Sequence, residues 1–463
     1  MSSLADAPVL CWLGFQGIKN QNHVCLLQER NSHIELLVPF RGEPDEISDW
    51  FVTSNNGFAL FNEKSRDVAY PVPLWARGVE DGVTYCLVGC RYVGQHANLG
   101  RVQGFGRIAA SYVVKGRPGV DYSTVDEVKT SMPELASWTG LGSMEEKFVP
   151  KENGQSGVQK YSVGFEAQPE VEVLRGDLSV ALVPEASGAV SEKEGIHATV
   201  AQWVSLKTMS SDGPRDYRDH MTLHTALRRL LCIFTWRDIS FKTIGVLRRD
   251  KPDRDIAGQI IPRSFEEVVT CEYHAWKPRD GRDQFFVYYS EIGAQGVERW
   301  LGLREEFSPG LDEFSHLAEN HASLTLESQM LTYGVAMSEI GYRIEELGGV
   351  KSSWRIASNV KTIANDMIAT FGYCPFGDVD ALAEDIACAC NSIKHPDYRR
   401  KHPERADILQ PQGLFEITEA CKVLLRTWLA EKLGCSVEVL RSRQGDDGFY
   451  GRLCERWRSP QLL

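Results

Sequence analysis

No run of apolar residues in this chain approaches the roughly 20 that a membrane-spanning helix needs, so the sequence predicts no membrane segment. The opening residues, MSSLADAPVLCWLGFQGIK, lack the basic stretch of a secretory signal. Twelve cysteines are scattered without a paired framework, which excludes a small disulfide-stapled secreted fold. These absences predict a reduced, cytoplasmic protein. Positive charge is also short: 51 Lys and Arg stand against 63 Asp and Glu, for a net −12. A surface of that sign does not attract nucleic acid as a whole, so any polyanion site must be a local patch.

Several chemical signatures are missing too. There is no GxSxG elbow, and nucleophilic hydrolase chemistry has no support. The three glycines of GRVQGFGRI (100–108) are not followed by GK[ST] or by a helical pattern, so a strand with a close backbone neighbour is expected. Cys86 and Cys90 lie four apart and Cys388 and Cys390 two apart. Neither pair has the CxxC spacing of structural zinc, and small buried thiols are expected. His220 and His224 have a zinc-like spacing on a predicted helix, but HMTLH lacks the Glu of a metalloprotease helix. They read as histidines on a surface or partly buried helix face. A zinc site there would need a third ligand that the sequence does not identify, and no metal or cofactor is expected.

What the chain does have is globular composition, 43% hydrophobic and 25% charged, over 463 residues. Length favours about two to four domains. The first half predicts strands at HIELLVPF (33–40), GFALF (57–61), VTYCLVGCRYV (83–93), YSVGFEA (161–167) and DLSVALV (177–183). In the last, Leu178, Val180 and Leu182 alternate with Asp177, Ser179 and Ala181. Short strands bordered by Gly, Pro and Asn predict a sandwich-like or barrel-like region. Residues 141–160 read as an exposed connection. At 216–236 the period becomes helical, with Met221, Leu227, Leu230, Leu231 and Phe234 on one stripe, before strand-like QFFVYYSEI (284–292).

From about residue 297 the pattern is helical throughout. The segments 323–347, 359–372, 378–395 and 413–434 each carry one apolar face, and faces of that kind with short connections predict an antiparallel bundle. The expected class is α+β: a β-rich sandwich-like region over 1–296, with room for two sub-domains, then an all-α bundle over 297–463.

One stretch carries chemistry: CACNSIKHPDYRRKHPER (388–405). Asn391 and His395 are four apart and share a helix face, with Lys394 beside them. Pro396 marks the helix end. Beyond it Arg399, Arg400, Lys401 and Arg405 outnumber Asp397 and Glu404. An imidazole beside an amide and cations suits phosphodiester cleavage, the His moving a proton and the cations offsetting charge on the phosphorane. Attack by a 2′-hydroxyl wants both a base and an acid, and one His per chain supplies a single group. A two-fold dimer would supply both. The plain alternative is a solvated loop whose cations suit a helix C-terminus.

The helical region ending in CNSIKHPD resembles the HEPN ribonuclease superfamily, and within it the ApeA group of bacterial anti-phage proteins. The β-rich start, the helix LHTALRRLLCIFTWRDISF and the passage ERWLGLREEFSPGLDEF are similar to the layout of ApeA-like chains. The family motif is R-x4-6-H, often with a polar residue after the Arg. His395 matches the His and Asn391 the polar residue, but Cys390, Ala389 and Cys388 stand where the Arg would be. The resemblance implies a dimeric, metal-independent ribonuclease of abortive infection. Catalysis falls to His395, Asn391 and Lys394, and RNA phosphate binding to Arg399, Arg400 and Lys401. The implied partners are RNA, with tRNA a candidate, a second copy in a homodimer or larger homo-oligomer, and a phage-encoded trigger. The missing Arg leaves open a helical module that dimerises and binds without cutting.

Overall fold

The computed structural model describes residues 8–15, 23–30, 33–41, 74–98, 103–117, 119–142, 144–150, 158–165, 169–191, 197–254, 257, 259–261, 264–269, 284–446 and 448–457. Strands dominate up to residue 269 and helices follow, so the class is α+β. The strand expected at 57–61 lies outside the described residues.

Fourteen strands join edge to edge in one antiparallel sheet. From one edge the order is Val171–Arg175, Leu178–Ser191, His197–Ser210, Glu127–Ser131, Lys242–Leu247, Glu266–Val269 and Tyr112–Lys115. It continues through Thr84–Val88, Leu74–Gly78, Val9–Phe15, His23–Arg30, His33–Arg41, Gln103–Ala110 and Arg91–Asn98. Alternation sets which residues face inward: Cys11, Leu13, Cys25, Leu27, Leu36, Val38, Leu87 and Ile108 meet in one core. The predicted strand 83–93 is in fact two, because Gly89 takes a left-handed φ of 62° between them. GRVQGFGRI is a strand as expected, with Gly104 and Gly106 opposite Phe40 and Val38.

Two connections differ from expectation. Residues 141–160 are no simple linker, since Met144–Pro150 pairs antiparallel with Val158–Phe165. QFFVYYSEI is not a strand: the Phe286 N–H donates to the Phe234 carbonyl at 2.8 Å, and a helix starts at Tyr289. Its apolar residues are there to plug the core, with Phe285 and Val287 buried. Glu291 then accepts the Tyr288 N–H at 2.7 Å and so caps the helix. Helical structure therefore begins eight residues earlier than the pattern suggests.

The helices are α1 (Glu134–Thr139), α2 (Tyr217–Thr235), α3 (Tyr289–Glu306, broken at Gly293), α4 (Ser308–Asn320), α5 (Leu326–Leu347) and α6 (Ile356–Phe371). They continue as α7 (Val379–Lys394), α8 (Pro396–Lys401), α9 (Pro411–Lys432), α10 (Val437–Asp446) and α11 (Gly448–Arg456). The predicted stripes are the buried ones. Met330, Tyr333, Met337 and Ile340 of α5, Val360, Ile363 and Met367 of α6, and Leu414, Ile417, Leu424 and Trp428 of α9 meet in one core. Each such aliphatic side chain contributes about 1.5–3 kcal/mol. Small residues let α5 lie close to its neighbours. A Cβ on Gly341 would stand 2.7 Å from the Asn359 backbone, and one on Gly334 would stand 2.7 Å from Cys390 Sγ.

Helix α2 begins under the cap of Asp216, whose side chain accepts the Arg218 N–H at 2.8 Å. His220 and His224 are not on a surface or partly buried face as expected; both are fully buried against the sheet. The reason is a closed hydrogen-bond chain. The Val125 carbonyl can only accept, so His220 Nε2 donates to it at 3.1 Å, and His220 Nδ1 accepts from the Thr208 hydroxyl at 2.9 Å. Thr208 in turn accepts from His224 Nε2 at 2.9 Å, and Thr130 donates to His224 Nδ1 at 2.7 Å. Burial keeps both rings neutral, lowering His220 and pushing His224 down to about 3.

The unfolded chain takes up a proton on each ring below the ordinary pKa of 6.5, while the folded chain does not. Their stability is thus full above that pH and is lost as pH falls below it, at up to about 1.4 kcal/mol per pH unit for each ring, for His224 down to about 3. Urea unfolding at about pH 7 and about pH 5 should show this slope. His224→Gln should flatten it, and an unchanged slope would count against the buried neutral chain.

Candidate active site at the end of helix α7

Helix α7 starts at Asp378, whose carboxylate accepts the Ala381 N–H at 2.9 Å. Leu382, Ala383, Ile386, Ala389 and Cys390 turn inward at helical spacing and fix which face is left outside. The helix stops at His395, which is extended (φ −129°, ψ 97°) as a residue before proline should be. Its N–H still donates to the Asn391 carbonyl at 2.8 Å. Pro396 then opens α8 from its first position.

A cleft of about 730 Å³ lies between α5, the residues leading into α6, and the α7–α8 corner. Asn391, Lys394 and His395 all line it, joined by Tyr398. The facing side brings Ser338 and Glu339 of α5 with Trp354 and Arg355 before α6. Glu384 lies further up α7. Lys394, His395 and Arg355 are exposed, and neither Lys394 nor Arg355 forms an ion pair among the described residues. The cleft can therefore present an imidazole, an amide, a phenol and two cations to one bound group, with Glu339 and Glu384 opposing excess negative charge.

The basic cluster beyond Pro396 is not gathered there. Arg400 is 85% exposed with Asp397 at 3.7 Å, and Lys401 is exposed on the same short helix. Neither lines the cleft. Arg405 turns to Asp385 at 3.2 Å, and the Arg399 side chain lies outside what is described. Sequence reasoning missed Arg355 and Tyr398. Arg355 comes from the connection before α6 and lines the cleft with His395 only after folding. The signal available was KSSWR (351–355), two cations around an aromatic in a short connection.

The three positions that would hold the motif Arg all face the core. Cys388, Ala389 and Cys390 are at most 2% exposed. Cys390 Sγ donates to the Met330 carbonyl at 3.5 Å, and burial pushes its thiol up to about 12. Cys86 and Cys90 are likewise pushed up to about 12 by burial. Among the described residues no cluster of His, Cys, Asp and Glu is placed to hold a metal, and no helix is long and apolar enough to cross a membrane.

A second cavity, about 570 Å³, opens at the start of α2 between Tyr112, Tyr217, Met221, Arg218 and Arg304. It lies where strands Thr84–Val88 and Tyr112–Lys115 meet α2, in the β-rich region that supplies the decisive comparison. The family described as ApeA N-terminal domain 1 matches residues 61–300, just over half of the chain. The chain belongs to the ApeA family. As an ApeA-family protein it acts in anti-phage defence. The matched residues take in most of the sheet, α2 and most of α3, and the α5–α8 cleft falls beyond them. No curated protein and no solved structure matches the chain.

Placing an arginine at the motif position should not restore anything. Cys390→Arg forces a cation against Met330 and Gly334 inside the bundle, and should cost about 3 kcal/mol or more. Chemical unfolding should show a sharp drop in midpoint. A variant as stable as the native chain would mean that position 390 can turn to the cleft.

Proposed function

We propose that this ApeA-family protein is a HEPN-type endoribonuclease that cuts RNA, tRNA included, and halts growth of the infected cell. Residues 297–463 are the effector and residues 1–296 the sensing region, which responds to a phage component through motion or a change of assembly. The observation that carries this reading is the convergence of Asn391, Lys394, His395 and Tyr398 on one open cleft with Arg355 across from them.

In this mechanism the ribose 2′-hydroxyl attacks the adjacent phosphorus. The 2′-O–P bond forms, the bond from phosphorus to the 5′-oxygen breaks, and the products end in a cyclic phosphate and a 5′-hydroxyl. His395 of one protomer takes the 2′ proton, and His395 of the partner subunit gives one to the leaving oxygen. Asn391 orients a non-bridging oxygen. Lys394 and Arg355 offset the charge that grows on the phosphorane, with Arg355 in the part the motif Arg plays elsewhere. Arg399, Arg400 and Lys401, which follow the cleft residues in the sequence, are assigned to phosphates of the RNA beyond the cleft. No metal or cofactor enters any step.

A second reading has its own support. Cys388, Ala389 and Cys390 are core residues, and Glu339 and Glu384 place negative charge in the cleft. Both fit a helical module that dimerises and binds RNA or a phage component without cutting.

Expression during phage challenge, with cellular RNA examined for new fragments ending in cyclic phosphate, separates the two. His395→Ala should lower cleavage by about 10²–10⁴-fold, and Arg355→Ala by about 10²–10³-fold. Protection that survives His395→Ala with intact RNA would establish the non-cutting module instead.

A further inference from the structure

The side chain beside Arg355 has no part in that mechanism. Trp354 is 62% exposed, a costly place for the largest apolar side chain, and it lines the same cleft as His395. One face of its indole is stacked on Tyr342 of α5, with centroids 4.2 Å apart and planes 21° from parallel. That contact holds the ring flat and leaves its other face to solvent. The backbone around it is fixed as well: the Arg355 N–H donates to the Ser353 hydroxyl at 3.2 Å, and the Asn359 amide donates to the Ser353 carbonyl at 2.8 Å. Lys351 and Arg355 stand on either side of Trp354 in the sequence, Arg355 lines the cleft with it, and both are exposed with neither ion-paired among the described residues.

A preset aromatic face with a cleft-lining Arg next to it and an exposed Lys three residues before it suits an unpaired base and its adjoining phosphates. Stacking is open to any base, and Lys and Arg neutralise the backbone on either side. A base already stacked inside a duplex cannot use such a face. An apolar protein partner would also cover Trp354, but the charges on both sides and the continuity with the His395 cleft favour nucleic acid.

We propose that Trp354, backed by Tyr342, is a stacking subsite for one unpaired base of single-stranded RNA, with Lys351 and Arg355 on the flanking phosphates. This rests on the ribonuclease reading for why the subsite adjoins His395, but not for whether it binds. Trp354 is a positioning residue here, setting which nucleotide lies over the cleft.

The test uses the full chain carrying His395→Ala, so that RNA survives, and fluorescence anisotropy with a labelled single-stranded oligonucleotide RNA and a blunt RNA duplex of equal length. Adding Trp354→Ala should weaken the single strand by roughly 5- to 150-fold and leave the duplex unchanged. Trp354→Phe should keep most of the affinity, which a merely structural loss would not allow. No single-strand binding by the parent, equal losses for both probes, or an unchanged affinity with a shift in sedimentation would overturn the subsite, the last pointing to a contact between copies. Cleavage by the wild-type chain is scored separately. Binding lost with Trp354→Ala but no cleavage by wild type sinks the nuclease and keeps the subsite. Wild-type cleavage untouched by Trp354→Ala does the reverse.

Discussion

The contact between α5 and α7 decides what the candidate site contains. Gly334 has no side chain, so Cys390 can settle over it with its thiol on the Met330 carbonyl. Helix α7 is thereby rolled with residues 388–390 inward, and at 100° per residue Ala387, Asn391 and Lys394 come to the opposite side. Pro396 then ends the helix where the exposed face carries His395. An Arg in place of Cys390 is incompatible with that roll. The burial of Cys390 and the face that α7 leaves outside are one fact seen twice, and the cleft's other cation, Arg355, comes from the residue just before α6.

The bundle is not packed in isolation. A single hydrophobic cluster runs from Met132, Val180 and Leu206 in the sheet region through Leu227, Leu230 and Phe234 of α2 to the helices up to Trp457. Helix α2 is the shared wall. On the sheet side it is held by the His220–Thr208–His224–Thr130 chain. On the helical side Trp300 Nε1 donates to the Ala226 carbonyl at 2.7 Å, Arg426 donates to the Phe234 carbonyl at 2.6 Å, and Arg228 meets Glu319 at 2.8 Å. Close-packed interiors shift as units rather than deform. Helix α2 thus joins the sheet to α4 and α9, against which α5 packs.

The helical half was legible because its apolar stripes are long. Leu382, Ile386 and Ala389, or Ile417, Leu424 and Trp428, could face only inward. QFFVYYSEI misled because aromatic and β-branched residues favour strands, whereas here tertiary packing uses Phe285 and Val287 as plugs and a Glu291 cap starts a helix. His220 and His224 were underestimated because their partners, Thr130 and Thr208, sit on strands distant in sequence. At the site, Asn391, Lys394 and His395 were legible from i,i+4 spacing on one helix. Arg355, Tyr398 and Trp354 were not, since only folding brings the α5–α6 connection across from α7. Arg400 lies near Asp397 at 3.7 Å, and Arg405 reaches back to Asp385 at 3.2 Å, a partner twenty residues earlier that only folding reveals.

The central claim is that the α7 corner is completed by a second copy of itself. Site-directed crosslinking tests it most directly. Lys394→Cys in the cleft and Glu80→Cys in the exposed turn after strand Leu74–Gly78 would each be treated with a short bismaleimide, with the native chain as the control for its own thiols. The account predicts a covalent dimer with Lys394→Cys alone, because two facing clefts bring the new thiols together. A monomer from Lys394→Cys, under conditions where the protein sediments as a dimer, would mean that the clefts face apart and that one His395 works without another.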